Sequence, residues 1–139
     1  MSAGEHLPCS GSEDLPPVAR DEAAARAAAL READAAFAAW ARGYGVIAHD
    51  PLTQLRVHAM VQALVAEGAL PDAATGWRRL QAADRIASAG MWLVVHMTYA
   101  REVRLDGAPL QAAQFKPTPE GHTGGSLNMA VAYAGYLAI

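Results

Sequence analysis

The residues best suited to chemistry lie together near the C-terminal end, in Glu120-Gly121-His122-Thr123-Gly124-Gly125, followed by Ser126. Three glycines permit positive φ and let a ligand approach the backbone closely. The segment stands before a helix start, whose free amides favour a bound anion, so the pattern suits a phosphorylated ligand. A tight turn that needs glycine, with His122 merely exposed, accounts for the same residues. Lys116, the sole lysine, stands just upstream. It can meet a phosphate as a point charge or remain a solvated side chain in a proline-rich connector.

Other chemistry-bearing residues have simpler readings. His96 lies in an apolar stretch beside Trp92 and Tyr99 and has no second ligand at helical spacing, so a hydrogen-bonded core histidine is expected. His49 and His58 are expected at the surface or at a boundary. Trp77 with Arg78 and Arg79 reads as a helix edge whose Trp packs inward. The sequence contains no His-Glu-x-x-His, no Cys-x-x-Cys and no Gly-x-Ser-x-Gly, so metalloprotease, zinc-module and α/β-hydrolase readings have no support.

The elements that must carry these residues read mainly as helix. Residues 1–20 hold Gly4, Pro8, Gly11, Pro16 and Pro17 among polar residues and read as a flexible arm. A helix is expected from Asp21, acting as cap, to about Arg42, with Leu30, Ala33, Phe37 and Trp40 at helical spacing. Gly43, Tyr44 and Gly45 end it, and Val46, Ile47 and Ala48 suit a short extended piece or a packed turn. Asp50-Pro51 starts a second helix running to about Glu67, stopped by Gly68. A third begins near Asp72, allows a break around Thr75 and Gly76, and continues to about Ala100. Its second half is apolar nearly all round and is expected to be central in its domain. Pro117 and Pro119 prevent continuous helix in the following connector. Ser126 then caps a last helix, from Leu127 to Ile139, in which Asn128 is the only clearly polar side chain. That helix needs cover on all sides, which implies that the chain is the front of a longer protein.

Composition bounds these readings. The 139 residues correspond to one ordinary domain, and 33 of them are alanine, which favours an α-rich segment over a β-sandwich or barrel. A net charge of −3 without a basic face argues against nucleic-acid binding. The longest apolar stretch, Ile86 to Ala100, falls short of the roughly 20 residues that span a bilayer, so no membrane partner is expected. One cysteine, Cys9, and a polar start without a signal-peptide pattern give a cytoplasmic expectation.

The stretch Phe115-Lys-Pro-Thr-Pro-Glu-Gly-His-Thr-Gly-Gly-Ser-Leu-Asn-Met resembles the Gly-His-x-Gly…Leu-Asn segment near the start of phosphoketolases and the Ser-Gly-His-Pro-Gly segment of transketolases. Both are thiamine-diphosphate-dependent. The helix Ala82-Ala83-Asp84-Arg85-Ile86-Ala87-Ser88-Ala89-Gly90 is similar to the one preceding the histidine loop of phosphoketolases. The resemblance covers roughly Leu80 to Leu137. It implies that residues 21–139 are the helical N-terminal portion of an α/β thiamine-diphosphate-binding, transketolase-like fold, incomplete as it stands. It further implies that Gly121 and Gly124 shape the turn at the cofactor. His122, by the same resemblance, faces the thiazolium region and the substrate's first carbons, as a hydrogen-bond donor or proton shuttle.

In that family the cofactor's ylid attacks a ketose phosphate such as xylulose 5-phosphate, and the C2–C3 bond is then cleaved. The full-length protein is accordingly expected to use thiamine diphosphate and Mg2+, to combine with the remainder of the enzyme, and to form a homodimer. Two departures stand out. Thr123 replaces the transketolase proline, and the Gly-Asp-Gly motif with its downstream asparagine, which holds magnesium and the diphosphate, is missing; Asp106-Gly107 is a turn. The fragment alone is therefore expected to be inactive and to bind no cofactor. A xylulose 5-phosphate 3-epimerase of the same superfamily and a non-catalytic helical partner-binding protein are the alternatives.

Overall fold

A computed structural model describes residues 16–104, 106 and 108–137. It is mainly helical: α1 (Pro17–Ala33), α2 (Ala35–Ala41), α3 (Pro51–Ala66), α4 (Ala73–Tyr99) and α5 (Thr123–Leu137), with a 3-10 turn at Ala112–Gln114. Helix α1 packs on α3, α2 on α4, and α5 on α4.

The first helix differs from expectation at both ends. It starts at Pro17, because Pro16 is extended and Pro17 sits at the first helical position, where its fixed φ suits the helix. Asp21 therefore lies inside α1 and caps nothing, and residues 17–20 of the expected arm are helical; residues 1–15 lie outside the described residues. The expected single helix is also broken at Asp34, which leaves helical geometry at φ −131°. Its carboxylate accepts from the amides of Ala36 at 2.9 Å and Phe37 at 3.0 Å, capping α2 instead of continuing α1.

Phe37, Trp40 and Ala41 of α2 meet Val61, Leu70 and Trp77 in the core. The Trp77 ring lies 5.2 Å from Phe37 and 5.4 Å from Trp40. Trp77 packs inward beside the exposed Arg78 and Arg79, as the sequence suggests. Between α2 and α3 the chain makes a packed turn, with Gly43 at φ +74° and Gly45 at φ +58°. A side chain at Gly45 would collide with Ser88 Oγ, which accepts from the Val46 amide at 3.3 Å.

Both later N-termini follow the sequence reading. Asp50 accepts from the amides of Leu52 and Thr53, and Asp72 from that of Thr75. With that cap α4 runs unbroken through Thr75 and Gly76 for 27 residues. At Asp50, burial opposes ionisation, yet hydrogen bonds from Thr53 and Leu52 outweigh it and lower the carboxyl below its ordinary value of 3.8. Asp72 is lowered chiefly by the Thr75 amide. A carboxylate whose folded pKa is depressed contributes stability above its unfolded pKa and loses it as pH falls through the folded value. Acid titration of the thermal midpoint should therefore show a loss beginning near pH 3.8 and deepening below it. The double variant D50N/D72N should flatten that limb; an unchanged limb would exclude these caps as its source.

The second half of α4 is not central, contrary to the sequence expectation. Among the described residues α5 covers one side of it, along a seam of small residues where a side chain on Gly90 would come within 3.2 Å of Ala130, while Val46 meets it at Ser88 and residues 114–120 meet its last turn. Met97 remains 60% exposed and Leu93 42%. Helix α5 buries Ala134 and exposes Met129, Val131, Tyr133 and Tyr136. Among the described residues, no helix is long and apolar enough to cross a membrane.

Candidate functional site

The end of α4 positions the glycine segment. After the connector, residues 114–120 return along the last turn of α4: the Arg101 amide donates to the Gln114 carbonyl at 2.9 Å, and the Glu120 amide to Thr98 O at 3.0 Å. Gly121 then takes φ +96°, a left-handed conformation that favours glycine, and reverses the chain into α5. The three expected site residues, Gly121, His122 and Gly124, thus stand together at the head of α5, with His122 exposed.

Helix α5 begins at Thr123, four residues earlier than expected. Gly124 and Gly125 belong to its first turn, and Ser126 is not the cap; its hydroxyl donates to the His122 carbonyl at 3.1 Å, from inside the helix. No neighbour lies within 4 Å of where a side chain on Gly121, Gly124 or Gly125 would point. Packing within the described residues therefore does not demand these glycines, which leave a bare, open helix N-terminus beside an accessible imidazole. Such an end can receive an anion, and the imidazole can donate a hydrogen bond or exchange a proton.

Lys116 is partly covered and engaged within the chain. Its ammonium donates to Met97 O at 2.8 Å and pairs with Glu120 at 3.0 Å. His96 is 1% exposed, with Nδ1 3.1 Å from the Trp92 carbonyl. A carbonyl only accepts, so Nδ1 carries the proton, as a core histidine would.

His49 was the residue that sequence reasoning undervalued. Its side chain is mostly covered, Nε2 lies 2.8 Å from the Asp84 carboxylate, and its ring stacks 4.2 Å from that of Trp40. Gln54 donates to the His49 carbonyl at 2.7 Å. Asp84 also lines a small cavity of about 50 Å³ with Trp40, Gly43, Tyr44 and Gln81, and its contact with His49 ties the segment after α2 to α4. Thirty-five residues separate His49 from Asp84, and no local spacing signals such a contact. His58 likewise packs against the core, edge-on to Phe37 at 5.2 Å.

Among the described residues, no group of three or more His, Cys, Asp or Glu side chains could hold a metal ion. Asp106 is engaged in its own turn: hydrogen bonds from the Arg104 guanidinium, joined by the Ala108 amide, push its carboxyl down to about 2. A Mg2+-bound diphosphate would need such a donor group, and the described residues do not assemble one. No family model matches the chain, and no curated protein or solved structure matches it either.

Proposed function

We propose that this chain is the helical N-terminal part of a thiamine-diphosphate-dependent, phosphoketolase-like or transketolase-like enzyme acting on a ketose phosphate such as xylulose 5-phosphate. The observation that carries the reading is Gly121-His122-Thr123-Gly124-Gly125, open at the head of α5, within the stretch that resembles those enzymes. In this reading His122 donates a hydrogen bond to a substrate oxygen that gains charge, or moves a proton there. The bare first turn of α5 favours the negative side of the ligand. The uncovered apolar faces of α4 and α5 supply the surface against which the remainder of the enzyme packs. A 3-epimerase of the same superfamily would use the same substrate and the same histidine.

The test is turnover of xylulose 5-phosphate by the complete gene product with thiamine diphosphate, magnesium and an acceptor for the two-carbon unit, either inorganic phosphate or an aldose phosphate. C2–C3 cleavage, read as release of glyceraldehyde 3-phosphate, supports the reading, whereas epimerisation at C3 selects the epimerase. Neither reaction would leave the non-catalytic partner-binding reading, which the exposed side chains of α5 favour. In isothermal titration calorimetry, the 139-residue chain alone should give no saturable heat with thiamine diphosphate and magnesium; saturable binding would contradict a site completed by other residues.

A further inference from the structure

The C-terminal turn of an α-helix leaves four carbonyls without partners inside the helix. In α4 all four are taken. The Ala100 amide donates to His96 O at 2.8 Å, Lys116 Nζ to Met97 O at 2.8 Å, the Glu120 amide to Thr98 O at 3.0 Å, and the Lys116 amide to Tyr99 O at 2.8 Å. Two of these four donors belong to Lys116 and a third to Glu120, whose carboxylate pairs with the same ammonium. The ammonium also lies at the negative end of the helix dipole, where a cation is favoured. Its side chain is 20% exposed. The next residues are Gly121 and His122, so residues 116–120 both cap a 27-residue helix and mount the turn that presents the imidazole.

We propose that Lys116 is a positioning residue: its ammonium clamps the Gly121–His122 turn to the end of α4 and so sets where His122 is presented. The importance of that placement for catalysis rests on the reading of His122 as a site residue; the clamp does not. Glu120 steadies the ammonium from outside, and Met97 O holds it from beneath.

One lysine in the chain means one side-chain ammonium signal in the 15N-labelled protein. An ammonium held between a carbonyl and a carboxylate should exchange its protons slowly enough to be seen near pH 6 in the cold, whereas a solvated one is broadened away. In K116M, amide exchange at Glu120 should rise roughly tenfold while α3 amides keep their rates. The His122 Cε1–H resonance, identified among five histidines by its loss in H122A, should move toward that of free histidine, and K116R should restore part of both.

An absent ammonium signal in the parent protein overturns the clamp, as does a K116M variant with unchanged Glu120 exchange and His122 resonance. Should K116M fail to melt cooperatively, the parent's ammonium signal decides. In the complete enzyme K116M should lower kcat more than it raises KM. Unchanged kcat with the clamp lost would overturn the positioning role, and a clamp in a protein that turns over no ketose phosphate would refute only the functional reading.

Discussion

Replacing His122 by alanine in the complete enzyme should lower turnover by about two to four powers of ten, the range for loss of a positioned proton-transfer group. The structure makes this a clean experiment. The imidazole is exposed, and the hydrogen bond at this residue runs from Ser126 Oγ to the main-chain carbonyl, which alanine retains. The melting temperature should therefore stay within a degree or two of the parent's, since surface substitutions away from special features usually change stability by less than about 0.5 kcal/mol. Steady-state kinetics with xylulose 5-phosphate separate the possibilities. A fall in kcat with KM nearly constant places the imidazole at the transition state. Turnover near the parent's would remove His122 from the site.

The largest effect on folding should come from Trp77→Ala. Trp77 is 1% exposed and joins α2 to α4 through its contacts with Phe37 and Trp40, while the His58 ring lies 6.0 Å away on another side. Removing a buried Trp typically costs about 3–5 kcal/mol, a large share of the roughly 5–15 kcal/mol that holds a domain together. Urea unfolding followed by far-UV circular dichroism should show a midpoint far below the parent's, or no folded baseline. A loss under about 1 kcal/mol would mean that the aromatic cluster is not the core.

Local chemistry in the sequence located much of this architecture. Asp50-Pro51 and Asp72 carry the signals of helix starts and cap α3 and α4 as read, and Gly68 closes α3 in a left-handed conformation. Three signals of the same kind read differently in the structure. Pro16-Pro17 outranks Asp21 as a helix start, and Asp34 looks like one polar residue in an alanine-rich helix, although it is the cap that divides α1 from α2. Ser126 seemed the natural cap of α5, yet the left-handed Gly121 already turns the chain, and helix follows from Thr123.

Long-range partnerships were beyond periodicity. Nothing in the spacing of His49 and Asp84 links them, and nothing around Lys116 announces that its ammonium caps a helix ending at Tyr99. The apolar character of α4 and α5 was legible, but which side chains they bury depends on what packs against them. Where α4 and α5 meet, that is a seam of small side chains, and Leu93, Met97 and Tyr133 remain exposed. Likewise, the grouping of Gly121, His122 and Gly124 was visible because they are neighbours in sequence. Their openness was not, because it depends on the absence of anything packed within 4 Å.

Under the proposed function, this chain supplies one histidine turn to a thiamine-diphosphate site completed by other residues. Reading the coding sequence downstream of the Ile139 codon tests it most directly. The expected result is an open frame of several hundred codons containing Gly-Asp-Gly and a downstream asparagine. A stop directly after Ile139, with no neighbouring gene that carries those motifs, would contradict it.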